Sequence, residues 1–546
     1  MTAIFKNQNN KFKLKREKSM KIEKKVDCML YEKNIFKKNY KEMDIRLGLC
    51  YPNIYKTAMS SLGYNILYNF INEREKTWCE RIIFPNTNSL ESNTPAKYFD
   101  ILSFSLQFED DYFNVLELLK SAEIPLKRKD RDESHPLIIA GGPCATANPM
   151  PLSDYIDIFI IGEGEKNLNE FLDTYQKNPN KDLEKFLDIP GIYIPEFNNK
   201  TKIAIVNDMN NTYHITSPIV SESDDENYES VFNNSIMLNV SRGCTRGCRF
   251  CMSSYLYRPM RETDWEKLIE IAVENRKNTG LNKITLIGAA VSDYKNLDKL
   301  ISGLERENFQ ISTPSLRIES ITRKTLKTLK QSGLKTITLA PESIPKLRKV
   351  INKDIPDEKI FSVLKDAIDL DFKIKLYFLI GIPGESMSDV EELGEYMKKI
   401  ADMHTSIRNV KFSVNPVIPK PHTPLQWECY NFKDIKRKTR YLKKELKKYN
   451  IKCESPKKGL VQYILSCGNS DVGALIEKSL TETVTLKEWK ELIPDYDIDD
   501  SLPWSNIDVS VKSEFLKIEN RRLKNLKQTP WCEESKCYNC CYCNEK

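Results

Sequence analysis

Short apolar runs that end in polar or glycine-rich turns recur between residues 44 and 175, with helical patterns between them. This arrangement is typical of a parallel sheet covered by helices on both faces. It predicts an α/β, doubly wound (Rossmann- or flavodoxin-like) N-terminal domain, whose ligands bind at the carboxyl ends of the strands. The predicted strands are 44–50, 81–84, 100–106, 136–142 and 157–164, with ligand-side turns at 51–55, 141–143 and 162–165 and a helix over 57–73.

A second series of strand and helix patterns covers residues 235–450. Six strand–helix units predict a partial (β/α)6 barrel, which places its chemistry at the carboxyl ends of the strands. The predicted strands are 235–241, 283–290, 313–320, 335–343, 372–386 and 409–419, with helices over 264–278, 357–370 and 387–403.

The other segments lack a sustained pattern. Residues 1–43 are a basic tail and lead-in, 176–234 a polar linker region, 451–530 a small C-terminal appendage and 531–546 a cysteine-rich tail. The chemistry is therefore expected in the two α/β regions and in the cysteine-rich tail.

Composition favours a globular protein and disfavours membrane and nucleic-acid partners. No apolar run approaches the ~18 residues of a membrane helix, and the absence of an N-terminal apolar signal segment predicts a cytoplasmic protein. The formal net charge of +7 arises within residues 1–25, which hold eight Lys, one Arg and two Glu. Because the remaining body is neutral, a nucleic-acid footprint is not expected. The basic tail is expected to be a solvated extension.

Three of the 15 cysteines follow the first predicted barrel strand in a C-x3-C-x2-C array: Cys244, Cys248 and Cys251. Three thiolates on one short loop suit a 4Fe–4S cube, which takes four ligands and is here left with one open iron. Gly243 and Gly247 allow the loop to bend tightly. Zinc is the alternative, although zinc fingers pair C-x2-C units and place them differently.

This array resembles that of the radical S-adenosylmethionine (SAM) superfamily. The resemblance implies that Cys244, Cys248 and Cys251 hold a 4Fe–4S cluster whose open iron binds SAM. Reduction then cleaves SAM to a 5′-deoxyadenosyl radical, which abstracts a hydrogen atom from its substrate. The resemblance also makes Phe250 a contact to the adenine, and it implies an electron donor of the ferredoxin or flavodoxin type.

The same resemblance marks the ends of later strands as cofactor-binding candidates. Gly288, in "LIGAAVSDY", fits the family's turn after the second strand, but the expected Glu is missing there. Arg317 and Glu319 end the third predicted strand and Glu342 ends the fourth. Each is a candidate contact to SAM or substrate, with a salt bridge on the barrel rim as the alternative. Gly381, in "IGIPGE", fits the fifth-strand turn that approaches adenine.

Three longer segments resemble radical SAM proteins with an N-terminal cobalamin-binding-type domain: "YPNIYKTAMSSLGYNILYNFIN", "AGGPCATANPMPLSDYIDIFIIGEGE" and "NPVIPKPHTPLQW". The resemblance covers roughly residues 44–475 and makes cobalamin a candidate cofactor. None of the four His lies in a D-x-H-x-x-G motif, so a His ligand to cobalt is not expected. The alternative is a domain that retains the fold for packing or substrate docking.

The cysteine-rich tail carries a second candidate metal centre. Its C-x4-C-x2-C spacing resembles part of a ferredoxin loop, and four close thiols also suit zinc or a single iron. Direct catalysis by one thiol and an unliganded tail are the alternatives. The expected ligands are Cys532, Cys537, Cys540 and Cys543, with Cys541 beside them.

The resemblance as a whole implies a radical SAM enzyme that methylates an unactivated carbon. Archaeal members of this class methylate a glutamine of methyl-coenzyme M reductase, so a protein side chain is one candidate substrate. A tRNA methylthiotransferase-like enzyme and a non-catalytic iron–sulfur sensor or scaffold are the alternative functions.

Overall fold

The computed structural model describes residues 30–530, except 224, 314, 315 and 332. The expected tail metal centre, at Cys532, Cys537, Cys540 and Cys543, lies outside the described residues, as does the basic segment 1–25.

A six-stranded sheet forms the first part of the molecule. Its region contains the strands β1 (Glu32–Lys33), β2 (Ile45–Tyr51), β3 (Thr77–Ile83), β4 (Ile101–Ser105), β5 (Leu137–Gly141), β6 (Ile158–Ile160) and β7 (Ile192–Tyr193), and the helices α1 (Tyr55–Ala58), α2 (Leu62–Asn72), α3 (Tyr112–Ser121), α4 (Pro143–Ala147) and α5 (Leu168–Gln176). The strand order is β3-β2-β4-β5-β6-β7, and every neighbouring pair is parallel except β6–β7. Helices α2 and α5 share one apolar core with the sheet and α3 shares another, which is why the central strands are apolar on both faces.

Two further parallel sheets follow, with strand orders β10-β13-β14 and β15-β16-β17-β18. Helices α7 and α8 cover the first, and α11, α12 and α13 cover the second. The mixed α/β fold with parallel sheets is therefore confirmed. The elements of this region are β8 (Thr201–Lys202), β9 (Val220–Ser221), β10 (Ile236–Asn239), β11 (Ser241–Arg242), α6 (Ser253–Leu256), β12 (Arg261–Glu262), α7 (Trp265–Thr279), β13 (Lys283–Ile287), α8 (Leu297–Arg306), β14 (Gln310–Ser312), α9 (Arg323–Gln331), β15 (Thr336–Glu342), α10 (Pro345–Val350), α11 (Asp357–Asp369), β16 (Lys373–Ile380), α12 (Met387–Asp402), β17 (Val410–Pro416), α13 (Phe432–Glu445) and β18 (Asn450–Cys453).

The third strand of this region differs from the prediction. Strand β14 ends at Ser312, whereas the sequence pattern favours a strand over 313–320. Arg317 and Glu319 therefore lie at a short 3-10 turn, Ile318–Ser320, and not at a strand end. The prediction overlooked Pro314, which has no N–H to donate and is poorly suited to a central strand.

The segments expected as a linker and an appendage contribute strands to the fold. Within 176–234, β7 extends the six-stranded sheet, and β9 pairs with β1. Strand β18 begins at Asn450 and joins the four-stranded sheet, so a boundary at residue 450 falls inside that sheet. Two-residue strands are too short for periodicity to reveal. The last elements are α14 (Pro456–Cys467), α15 (Asp471–Lys478), α16 (Leu486–Glu491), β19 (Ile507–Asp508), which pairs with β8, and α17 (Ser513–Lys524).

Candidate active site

The cysteine loop, residues 243–252, follows β11 and leads into α6. The short antiparallel pair of β11 and β12 closes the base of the loop. Gly243 begins it with a φ of 80°, and a Cβ atom there would overlap the carbonyl oxygens of Tyr257 and Pro259. Only glycine fits this position, so the sharp bend of the loop is built into the sequence.

The three thiols of the loop lie in a largely buried environment, with the positive charge of Arg317 close by. Cys244 and Cys248 are buried, and Cys251 is half-buried. Burial raises the pKa of all three thiols, while the charge of Arg317 opposes that rise at Cys244 and Cys248. A nearby guanidinium stabilises thiolates, which are the form that binds metal. Among the described residues, no three Cys, His, Asp or Glu side chains converge tightly enough to hold a single metal ion.

A buried ion pair ties the cysteine loop to the turn after β13. Arg246 donates from Nε and Nη2 to the two carboxylate oxygens of Asp293, at 2.7 and 2.6 Å. Burial would raise the pKa of Asp293, but hydrogen bonds from Arg246 and the charge of Arg317 hold it below its ordinary value. Sequence reasoning missed this pair, although an arginine between two of the cysteines is a signal that could have revealed it.

Arg317 and Glu319 lie beside this ion pair. Arg317 Nη2 donates to Glu319 Oε1 at 2.9 Å, and its Nε lies 3.6 Å from Asp293 Oδ2. Glu319 Oε2 is buried without a hydrogen-bond partner among the described residues. A buried carboxylate oxygen left without a donor is costly, and it suits a ligand that brings a hydroxyl or amino group.

Glu342 and Gly288 each contact a residue that neighbours the cysteine loop. Glu342 is 7% exposed and accepts a 2.7 Å hydrogen bond from Lys353, whose charge acts on Cys248. A Cβ atom on Gly288 would lie 2.7 Å from Ser241 Oγ, so this turn packs against the base of the loop.

Phe250 and Gly381 lie in different surroundings. Phe250 is half-buried and packs against the main apolar core. Gly381 lines a cavity of about 170 Å³ together with Glu385, Cys429 and Lys438, and its N–H donates to Glu385 Oε2 at 2.6 Å. The walls of this cavity include no residue of the cysteine loop.

The far side of the cysteine loop is fixed by the C-terminal segment. The side chain of Arg249 is fully buried and donates to Lys527 O at 2.6 Å and to Glu519 Oε2 at 3.1 Å. Asn352 Nδ2 donates to Gly247 O at 3.2 Å and to Thr529 O at 3.1 Å. The last described residues of the chain are therefore anchored on the loop.

The near side of the loop meets the carboxyl edge of the six-stranded sheet. Arg242, in β11 just before the loop, donates to Glu165 at 2.7 Å, and Arg261, in β12, donates to both oxygens of Glu163 at 2.9 and 3.0 Å. Glu163 and Glu165 follow β6, so the ligand edge of that sheet lies beside the cysteine loop.

Family models match both α/β regions of the chain. The model "Radical SAM superfamily" matches residues 238–397, which contain the cysteine loop, and "Radical SAM proteins, N-terminal" matches residues 63–195. Together they cover more than half of the chain. The chain belongs to the radical SAM superfamily. The resemblance to this superfamily, which the C-x3-C-x2-C array indicated, is confirmed.

Relatives of known sequence agree with this membership. The uncharacterised protein MJ0966 of Methanocaldococcus jannaschii is 32% identical over 476 residues, which is 84% of this chain and 98% of that protein. An "uncharacterized methyltransferase", PH0819 of Pyrococcus horikoshii, is 25% identical over 53% of this chain and 62% of its own length. A tRNA-2-methylthio-N(6)-dimethylallyladenosine synthase of Anaplasma phagocytophilum is 26% identical over 39% of this chain and 50% of its own length.

Among solved structures, the fold is similar to that of the radical SAM methyltransferase TsrM from Kitasatospora setae, determined with cobalamin and a [4Fe-4S] cluster bound. The TM-score is 0.52 at 12% identity, and the match covers 71% of this chain and 78% of TsrM. At this identity the likeness is one of fold.

Membership in the superfamily implies a 4Fe–4S cluster, SAM and an electron donor. The donor set fits the first two groups, since three thiols share one loop beside Arg317 and Glu319 offers an unpaired acceptor. No helix in the described part of the chain is long and apolar enough to cross a bilayer.

The ligand edge of the six-stranded sheet fits cobalamin only in part. A Cβ atom on Gly142 would lie 2.7 Å from Leu106 O, and one on Gly162 would overlap Ala204 O. These glycines are therefore required by close contacts within the chain. Asp111 differs, because its Oδ2 is buried and has no hydrogen-bond partner among the described residues, which suits a ligand with amide groups, since these both donate and accept hydrogen bonds.

Proposed function

We propose that this radical SAM protein is a methyltransferase that acts on an unactivated carbon. The proposal rests on two ion pairs, Arg242 with Glu165 and Arg261 with Glu163. They hold the base of the cysteine loop, β11 and β12, against the ligand edge of the six-stranded sheet. A methyl carrier held at that edge would lie next to the site of radical formation. The similarity to PH0819 and TsrM, both of which are described as methyltransferases, supports the proposal.

The residues of the site have distinct roles in this proposal. Cys244, Cys248 and Cys251 hold the cluster, which when bound supplies the reductive cleavage of SAM to a 5′-deoxyadenosyl radical. Arg317 offsets the negative charge of the thiolates. The free oxygen of Glu319 accepts a hydrogen bond from an amino or hydroxyl group of SAM.

Other groups hold the site in shape. The three- and four-stranded sheets form the two halves of one partial barrel around the reacting groups. Arg246 and Asp293 fix the loop against the turn after β13. Asp111 binds the methyl carrier at the edge of the doubly wound domain, and the substrate is a carbon atom of a protein side chain.

The test is a product analysis of the full chain under anaerobic conditions. After reconstitution with iron, sulfide and cobalamin, we expect retained corrinoid and the formation of both S-adenosylhomocysteine and 5′-deoxyadenosine from SAM. Production of 5′-deoxyadenosine alone, with no corrinoid retained, would contradict methyl transfer while leaving the radical chemistry intact.

We further propose that Cys532, Cys537, Cys540 and Cys543 hold a second metal centre. The support is the spacing of these four thiols, C-x4-C-x2-C followed by Cys543, which suits an iron–sulfur, iron or zinc centre. Iron and zinc analysis of a Cys537→Ser/Cys540→Ser variant should show loss of one metal centre. An unchanged metal content would exclude it, and Cys429→Ser, at an exposed position, is the control.

A second candidate function is methylthiolation of tRNA, favoured by the similarity to the Anaplasma phagocytophilum synthase. That reaction requires a sulfur donor and an RNA substrate. Incubation with bulk tRNA and mass analysis of the nucleosides separates the two functions, since methylthiolated adenosine would appear only if this candidate is correct.

A further inference from the structure

One face of the four-stranded sheet is turned away from the helices that cover it. Along β16, Ile374, Leu376 and Phe378 are at most 1% exposed and pack in the core shared with α11, α12 and α13. Side chains alternate between the two faces of a strand. Lys375 and Tyr377 therefore lie on the opposite face, where they are only half-buried.

The strand register places polar residues side by side on this face. Thr338 pairs with Lys375, Lys375 with Lys411, and Lys411 with Asn450, while Tyr377 pairs with Ser413, and Ser413 with Lys452. These seven residues are called the lysine face. Neighbouring strands are about 4.8 Å apart, so three ammonium groups share a small area whose paired positions include no carboxylate.

Among the residues that the structure describes, no carboxylate pairs with the lysines of the lysine face. Burial, and then the charge of Lys452, lower the pKa of both Lys375 and Lys411. The ammonium group of Lys375 donates to the hydroxyl of Tyr377. Within the described ranges, none of the three lysines forms an ion pair with a carboxylate. Ammonium groups held in this way repel each other, and a multiply charged anion relieves the repulsion.

We propose that the lysine face binds a multiply charged oxyanion group of the substrate, a phosphate or a set of carboxylates. The inference rests on the proposed function, because it assigns this group to the substrate of the radical reaction. Ile380, at the carboxyl end of β16, is five residues after Lys375, which is about 16 Å along the strand. The substrate is therefore extended, with its charged end well away from the carboxyl ends of the strands.

The test uses pyrophosphate and the tricarboxylate tricarballylate as probes, titrated calorimetrically into the reconstituted full chain. We expect saturable binding of at least one probe, and binding at least tenfold weaker in Lys375→Gln/Lys411→Gln/Lys452→Gln. A preference for pyrophosphate assigns a phosphate, and a preference for tricarballylate assigns carboxylates. The control Lys444→Gln/Lys447→Gln/Lys448→Gln removes the same charge from exposed positions at the end of α13 and beyond it, and should bind like the wild type.

Several outcomes overturn the proposal. These are no binding of either probe by the wild type, unchanged binding by the lysine-face variant, or equal loss in the control. If the triple variant does not fold, Lys411→Gln should weaken binding and Lys411→Arg should preserve it. The radical chemistry is followed separately as 5′-deoxyadenosine formed without substrate, which the lysine-face variant should retain. Its absence from the wild type would contradict the proposed function, whatever the binding result.

Discussion

At the scale of the residue, Asp111 has a pKa well above the ordinary value of an aspartate. Burial raises its pKa to about 7, the charges of Asp110 and Glu109 act in the same direction, and a hydrogen bond from Asn53 opposes them. The unfolded chain loses this proton near pH 4, whereas the folded protein keeps it up to about pH 7. The contribution of Asp111 to stability is therefore lost as pH rises from 4 to 7.

Asp111→Asn should consequently be more stable than the wild type at pH 8, by on the order of 2–4 kcal/mol. The difference should shrink to about 0.5 kcal/mol or less at pH 4, where the wild-type carboxyl is protonated in the folded state and about half-protonated in the unfolded chain. Urea unfolding at the two pH values measures it. Asp298→Asn, at an exposed position, is the matched control, and a stability gain independent of pH would refute the explanation.

The buried ion pair of Arg246 and Asp293 also contributes to stability through single side chains. The two side chains are 8% and 9% exposed, and removing one charge leaves the other buried and unpaired. Asp293→Asn should lower the free energy of unfolding by about 3 kcal/mol. Glu307→Gln breaks the more exposed pair with Arg276, at 44% and 31% exposure, and should cost less than about 1 kcal/mol. Equal losses in the two variants would show that the buried pair does not hold the loop.

At the scale of the element, the longer helices were predictable, whereas strand β14, the shortest strands and the irregular turns were not. Helices α7, α11 and α12 lie within one residue of the predictions, and α12 begins at a capping box formed by Ser386 and Asp389. The hydrophobic pattern and the capping residues of the segment itself determine where such helices begin and end. The partners of the cysteine loop were beyond sequence reasoning, because Glu519 is 270 residues from Arg249 and no local period connects them.

The cysteine loop itself gives the sharpest prediction at this scale. Gly243→Ala should destabilise the protein by about 3 kcal/mol, because the new methyl group overlaps two carbonyl oxygens. Gly280→Ala is the control, since Gly280 has a similar φ of 77° but nothing within 4 Å of its Cβ position. It should cost only about 1–2 kcal/mol of backbone strain. Denaturant unfolding compares the two, and similar losses would show that the close approach is unimportant.

At the scale of the whole molecule, the cysteine loop lies between two distant parts of the chain. The sheet edge carrying Glu163 and Glu165 meets it on one side, and the segment 527–529 holds it on the other. The sequence indicated the two α/β regions and the cysteine loop. It did not indicate that the supposed linker and appendage would supply strands and contacts to both.

One measurement tests the central claim most directly: 5′-deoxyadenosine formed from SAM by the reduced, iron-loaded full chain. The wild type should form it and bind about four irons at this loop. Cys248→Ala should lose the product while Cys79→Ala, at a buried position distant in sequence, should retain it. Undiminished 5′-deoxyadenosine formation by Cys248→Ala, or none by the iron-loaded wild type, would contradict the assignment of the cysteine loop as a radical SAM site.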